Sequence, residues 1–116
     1  MSFKLNRAAF EQAQRLIKGG LEVEVQDVWA ESKPTRDEVV KFVQTHDMDE
    51  YALWFLAIKE DEDEESLDRY QLPYGDLQVV HKGALLDAQK KLANHPNKEI
   101  EQAIKTLLDL VAKVKR

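Results

Sequence analysis

The chain contains no cysteine in its 116 residues. That excludes a disulfide framework, a thiolate metal site and a cysteine nucleophile. Serine occurs only at positions 2, 32 and 66, never in the Gly-x-Ser-x-Gly setting of a nucleophile elbow. Gly19-Gly20 lacks the lysine and the spacing of a phosphate-binding loop. No Pro/Gly/Ser-rich linker and no internal repeat divides the chain, so a single domain over residues 1–116 is expected. Long apolar runs are missing too. The longest, Ala52 to Ile58, has seven residues, where a membrane span needs about 20. Met1 to Asn6 opens no apolar run, so a secretory leader is not expected. A cytoplasmic location without a membrane partner is the expectation.

What is present is charge and enough apolar content for a core. Charged residues make up 34% and apolar residues 43%, too much of the latter for wholesale disorder. The net charge is −5, unevenly placed. Residues 1–75 carry 9 basic against 17 acidic side chains, whereas residues 76–116 carry 8 against 5. An acidic body repels phosphate backbones at long range, so bare nucleic acid is a disfavoured partner. Lys90, Lys91, Lys98 and Lys105 would have to form one exposed patch for that reading to hold.

Periodicity and capping residues outline the elements. A helix over Arg7 to Lys18 is capped by Asn6, presents Ala9, Phe10, Ala13, Leu16 and Ile17 on one face, and stops at Gly19-Gly20. Leu21 to Ala30 fits either period; a short helix from about Glu24 is favoured. Thr35 and Glu38 form a capping box for a helix with Val39, Val40, Phe42 and Val43 on its apolar face, ending at Thr45-His46-Asp47. Asp49 to Lys59 is a strand or a short helix. A loose hairpin of residues 53–59 and 69–74, joined by the acidic run Glu60 to Glu65, is preferred, with Pro73 at an edge for want of an amide. Asp76 is expected to cap a helix with the stripe Leu77, Val80, His81, Ala84, Leu85, Ala88 and Leu92. Asn94-His95-Pro96 breaks it, and Asn97 caps a last helix striped by Ile100, Ala103, Ile104, Leu107, Leu108, Val111 and Val114. Two such helices joined by a few residues form a helical hairpin.

Chemistry-bearing motifs are few. Counted from Asp61, the acidic run puts Ser66 at the glycine position of a calcium-binding EF-hand loop and Leu72 at the glutamate position, so a solvated, self-repelling loop is expected. His46, His81 and His95 form no HxxxH or HExxH pair. His81 stands in an apolar stripe, where a histidine is most often a hydrogen-bonded core residue; Tyr70, Tyr74 and Asp76 are its candidate partners. The sharper reading makes it a general base or ligand group. Tyr70-Gln71-Leu72-Pro73-Tyr74-Gly75-Asp76 is the most distinctive segment. It reads either as a rigid turn with its tyrosines packed on Trp54, or as a binding surface for a small molecule or anion.

Three segments together resemble a family of small bacterial proteins of unknown function. They are Trp29-Ala30-Glu31, Tyr51-Ala52-Leu53-Trp54-Phe55-Leu56, and the acidic loop followed by Tyr70 to Asp76 and His81. The resemblance spans roughly residues 7–111. Two departures are Gln71 for a lysine and Lys82-Gly83 for Arg-Cys after the histidine. The Pro73-Tyr74-Gly75-Asp76 piece is also similar to a segment near the C-terminus of some phage head-maturation proteases, without any protease active site. The resemblance supplies no catalytic residue; it implies an accessory domain related to phages or mobile elements.

The expected fold is α+β and mostly α, with about four helices, a C-terminal helical hairpin and a small β-hairpin. The expected function is a non-enzymatic protein-interaction or accessory module, with no cofactor and no metal. The alternative is a small-molecule or anion-binding protein, or an enzyme, using Tyr70, Tyr74, Asp76 and His81. A concavity at His81, or a ring packed solid, discriminates the two.

Overall fold

The computed structural model describes residues 3–19, 23–25, 29–63, 66–94 and 96–113. Met1, Gly20, Leu21, Glu65, His95 and Val114, named above, lie outside them. The fold is α+β and mostly helical, as the sequence predicts.

Strand β1 (Phe3–Leu5) runs into helix α1 (Arg7–Gly19). Asn6 joins them: its Nδ2 donates to the carbonyls of Ala52 and Phe55 at 2.9 and 3.1 Å, and its backbone carbonyl accepts from Phe10 N. The cap is therefore also a buried tie to the strand that follows. Ala9, Ala13 and Ile17 are the buried face of α1, with Phe10 and Leu16 packed at its margins. Strand β3 (Phe55–Lys59) is the centre of a three-stranded antiparallel sheet ordered β1-β3-β4, where β4 is Tyr70–Pro73. The expected hairpin is present, and Pro73 stands on an edge strand, opposite Phe55. Ser66 accepts from Asp68 N and opens a single 3-10 turn, Leu67–Arg69, that leads into β4.

Four expectations need correction. First, Val23–Glu24 is a strand, β2, not the start of a helix; it pairs in parallel with β5 (Val80–His81). Of the two periods, alternation was the better signal at Val23, and the helix of this region, α2 (Trp29–Ser32), begins only at Trp29. Second, Asp49 to Lys59 is both helix and strand: α4 (Met48–Ala52), capped by Asp47, precedes β3. Helices α2 and α4 bring the number among the described residues to six rather than four. Third, Val40 points away from the core at 39% exposure, while Val39, Phe42 and Val43 hold α3 (Arg36–Thr45) to it. The capping box of Thr35 and Glu38 is present in both directions.

The fourth correction matters most. Asp76 caps no helix. Its Oδ1 accepts from the amides of Gln78 and Val79 at 3.0 and 2.8 Å, closing a turn. The chain then extends through β5, and α5 begins only at Lys82 (Lys82–Leu92). Leu77 and Val80 are buried from this turn rather than from a helix face. Helix α6 (Lys98–Ala112) is capped by Asn97, whose Oδ1 accepts from Ile100 N while its Nδ2 donates to Phe3 O. Ile100, Ala103, Ile104, Leu107 and Val111 are its buried stripe. Helices α5 and α6 pack on each other, α1 lies against α6, and the sheet closes the core. No helix among the described residues is long and apolar enough to cross a membrane.

Candidate functional site

The turn that carries the four sequence-predicted residues is built to be rigid. Tyr74 is fully enclosed. Its hydroxyl donates to Leu53 O at 2.7 Å and accepts from Gln12 Nε2 at 3.0 Å, and its ring stacks on Trp54 at 5.2 Å. Burial drives the phenol far above its ordinary range, against the opposing hydrogen bond from Gln12 and the charge of Arg15. Gly75 follows because nothing larger fits. A Cβ there would collide with the Val79 carbonyl and reach within 2.8 Å of the Trp54 ring. Leu77 is held at φ 72°, in the left-handed region, a conformation that costs a non-glycine residue about 1–2 kcal/mol. The Asp76 turn and burial of the leucine side chain oppose that cost.

Asp76 and His81 are brought together. His81 Nε2 lies 3.0 Å from Asp76 Oδ2, out of line for a directed hydrogen bond, and neither ring nitrogen has a hydrogen-bond partner among the described residues. The ring is 2% exposed and packs at 5.3 Å against Trp29. Its backbone amide donates to Tyr74 O at 3.0 Å. Tyr70 is elsewhere: it is half-buried against Tyr51 and Phe55, at 6.0 and 6.4 Å, not against Trp54. His81 is packed solid and lines neither of two surface concavities near the turn.

The larger of the two is lined by Trp29 but not by His81. It is a half-open groove of about 640 Å³, within the range of about 300–1,000 Å³ typical of ligand sites. The buried Trp29, Tyr51 and Leu77 and the half-buried Val39, Phe55 and Pro73 give it an apolar floor, and Leu86, exposed on α5, is at its lip. Lys33, Lys90, Lys91 and Asp87 supply the charge. Lys91 is paired with Asp87 at 3.1 Å; Lys33 and Lys90 have no ion-pair partner among the described residues. The rim is thus cationic on a chain of net charge −5. Tyr51, in the lining, has a phenol pushed up to about 12 by burial, with the Asp68 charge acting in the same direction and Arg36 against it. Such a group is a hydrogen-bond donor at neutral pH, not an acid or base.

Sequence reasoning found the turn and missed the groove. One signal was available: Leu86 lies off the α5 stripe of Ala84, Leu85, Ala88 and Leu92, and is 41% exposed. The smaller concavity, about 430 Å³, runs along α3 past His46, Asp76 and Gln78; His46 there stacks on Phe42 at 4.1 Å. Among the described residues no group of histidines and carboxylates is placed to hold a metal ion. No family model, no curated protein and no solved structure matches the chain.

Proposed function

We propose that the chain is a non-enzymatic binding module and that the Trp29 groove holds its ligand, an apolar body carrying negative charge. The observation that carries this reading is the combination in one concavity of aromatic and aliphatic side chains with the ammonium groups of Lys33 and Lys90, which have no ion-pair partner among the described residues. Apolar walls with a few convergent polar groups are the usual composition of ligand sites. The strained Leu77 in the floor supports the same location, since such backbone strain concentrates where a surface is shaped for a task. A binding role is favoured over catalysis because the groove lining presents no nucleophile beside a base, and because the Asp76–His81 pair is shut off from it. The likeness of Pro73 to Asp76 to a segment of phage proteases supports seeking the ligand in phage-derived or mobile-element assemblies.

A probe of the same chemistry tests the site. Anilinonaphthalene sulfonate, an aromatic anion, should bind saturably to the folded chain and alter Trp29 fluorescence. Leu86→Asp and Lys33→Glu, both at exposed positions, should abolish or weaken that binding with the fold intact by circular dichroism. Absence of saturation, or binding indifferent to both changes, refutes the groove.

A further inference from the structure

We infer that the occupant of the groove is an acidic amphipathic helix of a partner protein. This rests on the groove being the binding site and names what fills it.

Three observations select a helix. The first is the exposed apolar surface at and beyond the margin of the concavity. Among the described residues the two exposed large apolar side chains are Val40 and Leu86. They stand on α3 and α5, the two helices that supply Val39 and Lys90 to the groove. Leu86 belongs to the lining and Val40 does not, so an occupant confined to the concavity leaves Val40 in water, whereas a polypeptide segment that extends beyond it along α3 can cover both.

The second observation removes the other common mode of peptide capture. Strand β4 is a sheet edge next to the groove, and an exposed edge is the usual template for adding a strand. Here the edge ends in Pro73, which has no amide to donate, and Leu72 breaks the extended backbone at φ 60°. A strand cannot continue that ladder. A helix satisfies its own backbone and needs only side-chain contacts, so an edge without donors is no obstacle to it.

The third is charge. Lys33, Lys90 and Lys91 face a groove with one carboxylate, Asp87, while residues 1–75 carry 17 acidic side chains. A partner with Glu or Asp flanking its apolar stripe is steered to the rim and repelled elsewhere.

A yeast-displayed library of amphipathic helices tests this with the full chain. Apolar residues are randomised at i, i+3, i+4 and i+7, and the flanking positions are either all Glu or all Lys. Glu-flanked helices should be enriched. Leu86→Asp should abolish their binding, and Lys33→Glu with Lys90→Glu should weaken it at least about tenfold and transfer preference to the Lys-flanked set. Enrichment of Lys-flanked helices by the unaltered chain, or binding indifferent to Leu86→Asp, overturns the inference. If no helix is enriched while the naphthalene sulfonate still saturates, the occupant is a small anion and the groove stands. If both fail, the binding site falls with its occupant.

Discussion

The Asp76 carboxylate divides its two oxygens between a turn and a ring. Oδ1 takes the amides of Gln78 and Val79, and Oδ2 lies 3.0 Å from His81 Nε2. The same side chain thus fixes the left-handed Leu77 and faces the buried imidazole. Asp76→Ala should destabilise the fold by about 1–3 kcal/mol, because it takes the acceptor from two turn amides, and His81→Ala by a similar amount, because it empties a tightly packed ring site. Asp76→Asn keeps an oxygen for the turn amides and should cost less than Asp76→Ala. In a double-mutant cycle by urea denaturation the two alanine changes should couple by about 0.5–3 kcal/mol. Strict additivity would show that the ring is indifferent to the carboxylate.

Gly75 tests the rigidity of the same turn from the steric side. A methyl group there meets both the Val79 carbonyl and the Trp54 ring. Neither is the free end of a flexible chain, so one must shift. Gly75→Ala should cost about 1–3 kcal/mol or more, as overpacking generally does. Trp54 fluorescence should change with it. A melt like that of the unaltered protein would place the turn further from Trp54 than described.

How far the sequence discloses this fold depends on the length of each element. Helices α1, α3 and α6 span three or four turns with side-chain caps at Asn6, Thr35 and Asn97, so period and cap agree. Strands β2 and β5 have two residues each and pair residues 57 positions apart; no period exists in two residues. The start of α5 misleads for a chemical reason. Aspartate that caps a helix and aspartate that closes a turn accept the same kind of amide, and Leu77 and Val80 happen to keep helical spacing. The turn was visible because its residues are contiguous. The groove was not, because Trp29, Tyr51, Pro73 and Leu86 lie far apart in the chain, and only folding leaves space between them.

The terminal hairpin should dominate stability, and Leu107 is its most direct probe. It is 0% exposed in the middle of the α6 stripe. Leu107→Ala should cost about 2–5 kcal/mol in a thermal or urea melt. Leu108, one position round and only half-buried, should cost less as alanine. Equal effects would mean that the stripe is rotated.

Alkaline titration tests the packing of the tyrosines. Burial raises Tyr51 from 10.0 to about 12 and carries Tyr74 further in the same direction. In the unfolded chain both phenols ionise near their ordinary value. Below pH 10 they are neutral in either state and contribute no pH dependence. Above it the unfolded state releases its protons first, so the folded state binds more protons and stability falls as pH rises. For Tyr51 the loss runs from about pH 10 to about pH 12 and then levels. Urea midpoints should therefore drop across that window, and Tyr51→Phe should remove part of the drop. Phenolate absorbance of the folded protein at pH 10.5, a value about midway in that window, should fall well short of that of the chain in denaturant, where the phenols of Tyr51 and Tyr74 are free to ionise. Equal absorbance with the circular dichroism of the fold intact would show that both rings are open to water, and would remove Tyr51 as a neutral donor in the groove.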